Sequence, residues 1–231
     1  MQNIVLQAKG VTKRFGGITA LENAELEVRE GEVHALVGAN GAGKSTLIKI
    51  ITGAYTNDEG HVYLDGKEVN IKSTFDARAL GISAVYQEFS LINTVSVAEN
   101  IFMGKLLYNN LGPVPRVDWK KMNEETQKLL NSLGVKNIKP ETIVGRLSVA
   151  QKQMVEIAKA LSNKLKVLIM DEPTASLSDN EIDNMFQIIR DLKAKGISII
   201  YVSHRLEELP IICDRISVYR DGHYIKTLNI E

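Results

Sequence analysis

The chain has 231 residues, 44 % of them hydrophobic, and its 28 lysines and arginines balance 28 aspartates and glutamates to a formal net charge of zero. That length buries a sizeable core without disulfide staples, so a small cross-linked scaffold is excluded. The neutral balance also removes the overall positive field with which proteins attract a nucleic-acid backbone, leaving any anion site to be local. The single cysteine, Cys213, has no internal partner, and the apolar Pro210-Ile211-Ile212 before it marks a core thiol suited to a reducing compartment. Met1-Gln2-Asn3 opens without a basic and then apolar leader, and no apolar run approaches the roughly 20 residues that span a bilayer. Work at a membrane would therefore use spans supplied by another chain.

In chain order, Val5 to Ala8, Ala24 to Val28 and Val33 to Val37 read as strands, the last an apolar run of the fully buried kind. A glycine-rich loop comes directly after it. From Lys44, the residues Leu47, Ile48, Ile50 and Ile51 repeat at helical spacing as far as Thr52-Gly53, where glycine is a natural stop. His61 to Leu64 and Val69 to Ile71, joined through Asp65-Gly66-Lys67, predict a hairpin, and Ile82 to Tyr86 predicts a further strand. From Thr94 to about Leu161 the pattern is mainly helical. Asp118 to Leu133 carries an Asp cap and a Gly134 stop, Ser148 caps a helix to Leu161, and Leu111-Gly112-Pro113-Val114-Pro115 reads as a loop between helices.

The last third alternates: strand Val167 to Met170, helix Glu181 to Lys195 ended by Gly196, strand Ser198 to Val202, a short helix near Leu206, and strand Ile216 to Tyr219. Asp221-Gly222 then turns the chain into a final strand, Tyr224 to Leu228. Alternation of this kind predicts an α/β fold with a largely parallel, helix-covered sheet. The expected organisation is one unit in two lobes, with roughly 1–93 and 162–231 as the core and 94–161 as an inserted helical subdomain.

Gly38-Ala39-Asn40-Gly41-Ala42-Gly43-Lys44-Ser45-Thr46 matches the P-loop pattern and lies between a buried strand and a helix, as the mechanism requires. Its glycines let successive N–H groups turn toward phosphate oxygens, and the helix N-terminus adds partial positive charge. Lys44 would neutralise the outer phosphates and Ser45 would ligate Mg²⁺. A P-loop alone leaves kinases, GTPases, helicases and transport motors open. Val167 to Met170 then runs into Asp171-Glu172, which puts two carboxylates at the carboxyl end of a strand, where α/β sheets keep their ligands. Asp171 is the expected Mg²⁺ partner, direct or through water, and Glu172 the residue that polarises an attacking water.

With those residues in place, the chain resembles the ABC ATPase family over nearly its whole length and with the motifs in the right order. The resemblance implies a P-loop NTPase fold with a mainly parallel core sheet, an antiparallel β subdomain and a helical insertion. It implies that Gln87 is the glutamine that contacts Mg²⁺ and the water, that His204 contacts the γ-phosphate, and that Phe15 stacks on adenine. Leu147-Ser148-Val149-Ala150-Gln151 stands at the signature position and Ser176-Leu177-Ser178-Asp179 at the D-loop, so that Ser148 and Asp179 would serve the nucleotide of a second ATPase half. The usual signature has glycines where Val149 and Ala150 stand, which removes backbone freedom. The variant, with the stretches around Gln87 to Met103 and Val202 to Glu208, resembles the first half of tandem sugar-import ATPases of the ribose, galactose and xylose type.

The resemblance further implies an ATP hydrolase at the cytoplasmic face of a membrane, with ATP and Mg²⁺ as ligands. Its partners would be a second ATPase half, in the same polypeptide or as a homodimer, transmembrane permease subunits and, indirectly, a substrate-binding protein. The cargo stays open among ribose, galactose, xylose and nucleosides. An ABC ATPase acting on DNA or ribosomes is disfavoured by neutral charge and the lack of a long coiled-coil insertion. A nucleotide switch with little turnover is disfavoured by the presence of Glu172 and His204.

Overall fold

A computed structural model describes residues 3–109 and 114–230. The first two strands, β1 (Ile4–Phe15) and β2 (Ile18–Arg29), pair antiparallel with each other along most of their length. They run well beyond the apolar segments Val5 to Ala8 and Ala24 to Val28, because mutual pairing satisfies the backbone of their polar ends too. β3 (Val33–Val37) leads into α1 (Lys44–Ile51), whose Leu47, Ile48, Ile50 and Ile51 are buried. β4 (Glu59–Leu64) and β5 (Lys67–Val69) form the expected hairpin, with a tighter turn than expected. Asp65 and Gly66 both take positive φ, 50° and 74°, the two-residue geometry that matches strand twist, so the second strand starts at Lys67 and stops before Ile71.

The short α2 (Thr74–Ala79) comes next, capped by Ser73, and then β6 (Ile82–Val85). The middle of the chain holds α3 (Val97–Phe102), α4 (Trp119–Ser132) and α5 (Val149–Leu161), which pack on one another. Asp118 caps α4 by accepting from the Lys121 N–H at 3.0 Å, and Met122, Thr126 and Leu130 form its buried stripe at i, i+4 and i+8. A small antiparallel pair, β7 (Tyr108–Asn109) with β8 (Arg116–Val117), stands in this stretch, which by residue pattern is mainly helical. Residues 111–113 of the Leu111-to-Pro115 loop lie outside the described residues.

The remainder is β9 (Val167–Asp171), α6 (Asp179–Ala194), β10 (Ser198–Val202), α7 (Leu209–Ile212), β11 (Arg215–Arg220) and β12 (His223–Asn229). The helix expected from Glu181 begins at Asp179, because Ser178 and Glu181 form a capping box that draws the first turn earlier. Among the described residues the strands join into one ten-stranded sheet in the order β5-β4-β1-β2-β12-β11-β3-β10-β9-β6. Its β11-β3-β10-β9-β6 part is parallel.

Successive residues of the parallel strands enter two separate cores, which explains their unbroken apolar runs. Leu168, Met170, Ile199 and Tyr201 face the core built with α3 to α6. Val167, Ile169, Ile200 and Val202 face the core built with α1, α2 and the β1-β2-β4 layer. Cys213 is buried, and that burial pushes its thiol up to about 12, in keeping with a core thiol.

Candidate active site

The carboxyl ends of β3, β9 and β10 lie side by side, and each continues into a loop that carries a predicted site residue. After β3, Gly38 takes φ 155° and Gly43 φ 96°, the latter as the N-cap of α1. A Cβ on Gly38 would collide with the Tyr219 carbonyl of β11, and one on Gly43 would lie 2.8 Å from Leu21 Cδ1. Both positions therefore need glycine for its φ and for close packing. No side chain caps α1, so its first-turn N–H groups are free to meet an anion. Ala39, Asn40, Gly41 and Ser45 are exposed around this loop, Thr46 is half-buried, and Ala42 and Lys44 are buried.

The Lys44 ammonium donates to the carbonyls of Gly38 at 2.7 Å and Ala39 at 3.1 Å, holding it inside the loop. Burial lowers its pKa, and the neighbouring Asp171 and Glu172 carboxylates oppose that fall. Asp171 ends β9, half-buried, with its pKa raised chiefly by burial and next by Glu172, while Lys44 and His204 pull it back. Lysine and carboxylates are thus one electrostatic unit although 127 residues separate Lys44 from Asp171.

Glu172 takes a left-handed φ of 51°, which is costly for a residue with a side chain, about 1–3 kcal/mol. Its N–H donates to the Val202 carbonyl of β10 at 2.9 Å. Its Oε1 lies 2.7 Å from His204 Nε2, in the loop that leaves β10. On motif position alone Glu172 and His204 have separate roles, and the structure makes them a contact pair. Gln87 lies two residues beyond β6, exposed, next to Tyr86, whose hydroxyl is 3.0 Å from Thr52 Oγ1 at the end of α1. Phe15 ends β1 with 41 % exposure; its ring meets Tyr55 edge to face at 5.1 Å, and the Lys13 ammonium lies 5.4 Å from its centroid.

A cavity of about 300 Å³ lies apart from these loops, between α2, β6 and the helices α3 and α5, with Phe75, Arg78, Met103, Lys105, Glu156 and Lys159 among its walls. Glu156 accepts from the Ser90 N–H at 2.6 Å, tying the segment after Gln87 to α5. Lys105 is lowered to about 8 by burial and by the cations Arg78 and Lys159.

Known proteins share this fold. The family model described as ABC transporter matches residues 21–175, which is more than half of the chain. The chain belongs to the ABC transporter family. Among curated members it is 50 % identical over 96 % of its length to a Burkholderia ambifaria protein named for ribose, galactose or methyl galactoside import. It is 46 % identical over 99 % of its length to a galactose/methyl galactoside import ATP-binding protein of Clostridium tetani, and 46 % identical over 98 % to a ribose import ATP-binding protein of the same organism. The chain spans 42 %, 45 % and 44 % of these three relatives, less than half of each. Among solved structures, a nucleotide-free ATP-binding cassette from an ABC transporter superposes with TM-score 0.87 at 30 % identity, covering 99 % of this chain and 92 % of that one. The ADP conformation of another cassette superposes with TM-score 0.85 at 30 % identity, covering 98 % and 91 %.

The altered signature has a local structural basis. Ser148 caps α5 in a capping box: its hydroxyl accepts from the Gln151 N–H at 3.2 Å, and the Gln151 amide oxygen accepts from the Ser148 N–H at 3.0 Å. Val149 and Ala150, the first two residues of the helix, have no positive φ, so nothing there requires glycine. Val149 is 45 % exposed at the tip. Asp179 stands exposed as the first residue of α6. Ser148 makes its hydrogen bonds within its own capping box, whereas Lys44 is held by the P-loop carbonyls and Glu172 by His204.

Proposed function

We propose that the chain is an ATP-hydrolysing half of an ABC importer for a monosaccharide, organised as a core of roughly residues 1–93 and 162–231 with a helical subdomain at 94–161. The observation that carries the hydrolytic reading is the Glu172–His204 pair, 2.7 Å apart, at the ends of two adjacent parallel strands beside Lys44. Nucleotide phosphates would lie on the N–H groups of Gly38 to Thr46, with Lys44 on the outer phosphates and Phe15 against the adenine. His204 would hold the γ-phosphate. Glu172 would orient a water so that its oxygen attacks that phosphorus as the bond to the bridging oxygen breaks, leaving ADP and phosphate.

Among the described residues no group of three His, Cys, Asp or Glu side chains could hold a metal ion. A cation at this site would rest on Ser45, Asp171, Gln87 and phosphate oxygens, the manner in which Mg²⁺ binds nucleotides. Bound there, Mg²⁺ would supply charge neutralisation across the phosphates. The half-buried Asp171, whose pKa is raised by burial, fits an acceptor waiting for positive charge.

Ser148 and Asp179 would serve the nucleotide of a second ATPase half, in the same polypeptide or a second copy, so that ATP closes the two halves together. Their exposure at two helix starts supports this reading. The cavity beside Gln87 would take the transmembrane permease, and a substrate-binding protein would be met only through that permease. This scheme puts the chain peripherally on the cytoplasmic face; no described helix is long and apolar enough to cross a membrane. Nucleic acid has no part in the scheme, in line with zero net charge.

The Glu172→Gln protein tests this. ATP affinity should persist, turnover should fall by roughly two orders of magnitude or more, and sedimentation with Mg²⁺-ATP should show whether trapped nucleotide pairs two copies. Unchanged turnover would remove Glu172 from the role. A monomer that still binds ATP would favour a different, covalently linked or separate, second half.

A further inference from the structure

Glu208 is 3 % exposed, closes the stretch Val202 to Glu208, and has no role assigned in the proposed reaction. Its Oε2 accepts from the Tyr201 hydroxyl at 2.7 Å and from the Ser203 hydroxyl at 2.9 Å. Its Oε1 has no hydrogen bond, and the Arg205 guanidinium stands 3.7 Å away. Ser203 Oγ in turn accepts from the Arg205 N–H at 3.0 Å. His204 therefore sits between two residues that are each tied to the same carboxylate. Thr174, 1 % exposed and two positions beyond Glu172, lies close enough to Tyr201 for its side chain to act on the phenol and pull its pKa down against burial.

We infer that Glu208 is a positioning residue for the Glu172–His204 pair, its carboxylate tying the end of β10 at Tyr201 to Ser203 and so fixing the turn that carries His204 toward Glu172. A buried carboxylate with one oxygen bare of hydrogen bonds is a poor packing element, since an apolar side chain of the same length avoids the desolvation cost. What the carboxylate offers instead is a two-hydroxyl acceptor whose geometry sets the turn that presents His204. Burial, and next Glu208 itself, push the Tyr201 phenol up, so it remains a donor throughout the neutral range and the direction of the network does not reverse. The inference rests on the catalytic reading of His204 and extends it to a residue that does not touch nucleotide.

The test is a double-mutant cycle in the full-length protein, reading ATP turnover and the ratio of ATP to ADP affinity. Glu208→Met, which fills the volume without accepting, should give a folded protein with kcat lowered about 10-fold and KM for ATP within about twofold, as expected when orientation alone is lost. Glu208→Gln, whose amide oxygen still accepts from both hydroxyls, should recover most of that loss. In a His204→Ala background Glu208→Met should add less than about twofold, because the group it positions is gone. Losses that multiply in the double variant, or a raised KM with unchanged kcat, would overturn the inference while leaving His204 catalytic. Should His204→Ala alone change neither turnover nor the affinity ratio, the reading of His204 falls and this inference with it. If Glu208→Met does not fold, Glu208→Asp, which withdraws the acceptor by one methylene, enters the same cycle with the same expectations.

Discussion

Two lysines, Lys44 in the P-loop and Lys105 in the cavity wall, have opposite surroundings. Lys44 loses basicity to burial but has the Asp171 and Glu172 carboxylates nearby to hold its charge. Lys105, in the wall of the cavity between α2 and the helical region, is lowered by burial and then further by the cations Arg78 and Lys159. Its ammonium donates to the neutral side chains of Ser162 and Asn163. The P-loop lysine is therefore prepared from within the chain, while the charges that act on the cavity lysine are themselves positive. The two lysines thus differ in what surrounds them: carboxylates support the charge of Lys44, whereas Arg78 and Lys159 work against that of Lys105.

The strongest way to break this contrast is Lys44→Ala. Loss of charge-assisted contacts to phosphate should weaken ATP binding by about 2–3 kcal/mol, roughly 100-fold, measured by calorimetry. The equivalent change at Lys105 should leave ATP affinity within about twofold, since it lies in the other cavity wall. Glu172→Gly sharpens the same picture on the acid side. It removes the left-handed strain at φ 51°, so thermal unfolding should show stability equal to or about 1 kcal/mol above the parent while turnover disappears.

The smallest effect concerns pH. The Lys105 pKa of about 8 in the folded chain lies below its unfolded value of about 10.4, so between those two the unfolded chain binds more protons. The destabilisation is fully present below about pH 8 and is lost as pH rises toward about 10. Lys105→Met should raise the melting temperature at about pH 7 by something on the order of 2 °C after screening by solvent, and the gain should shrink at about pH 10. A gain that stays constant with pH would show that packing, and not the buried charge, is responsible.

How much of the site is legible in the chain depends on whether its parts are contiguous. Gly38 to Thr46 forms one loop whose neighbours along the chain are also its neighbours in space, so its spacing already contains the geometry. The caps Asp118 and Ser148 are legible for the same reason, because each accepts from an N–H three residues on. The 2.7 Å contact of Glu172 with His204 is not, since 32 residues separate them and only the parallel pairing of β9 with β10 brings them together. Nor can the positive φ of Glu172 be read, for the residue type argues against it. Glu208 looks in the sequence like one of two ordinary acids in a short helix, its burial against Tyr201 and Ser203 being invisible in a pattern of charges.

By itself, then, the sequence determined the strand-loop-helix of the P-loop pattern, the alternation that demands a parallel sheet, and the carboxylates Asp171 and Glu172 where β9 ends, because local hydrogen bonding and side-chain periodicity act over a few residues. Tertiary structure alone decided which strand lies beside which, that long β1 and β2 pair along their polar ends, that Glu172 meets His204, and that Glu208 meets Tyr201 and Ser203. Those outcomes depend on burying two apolar faces of one sheet at once, a condition that no short stretch of chain contains.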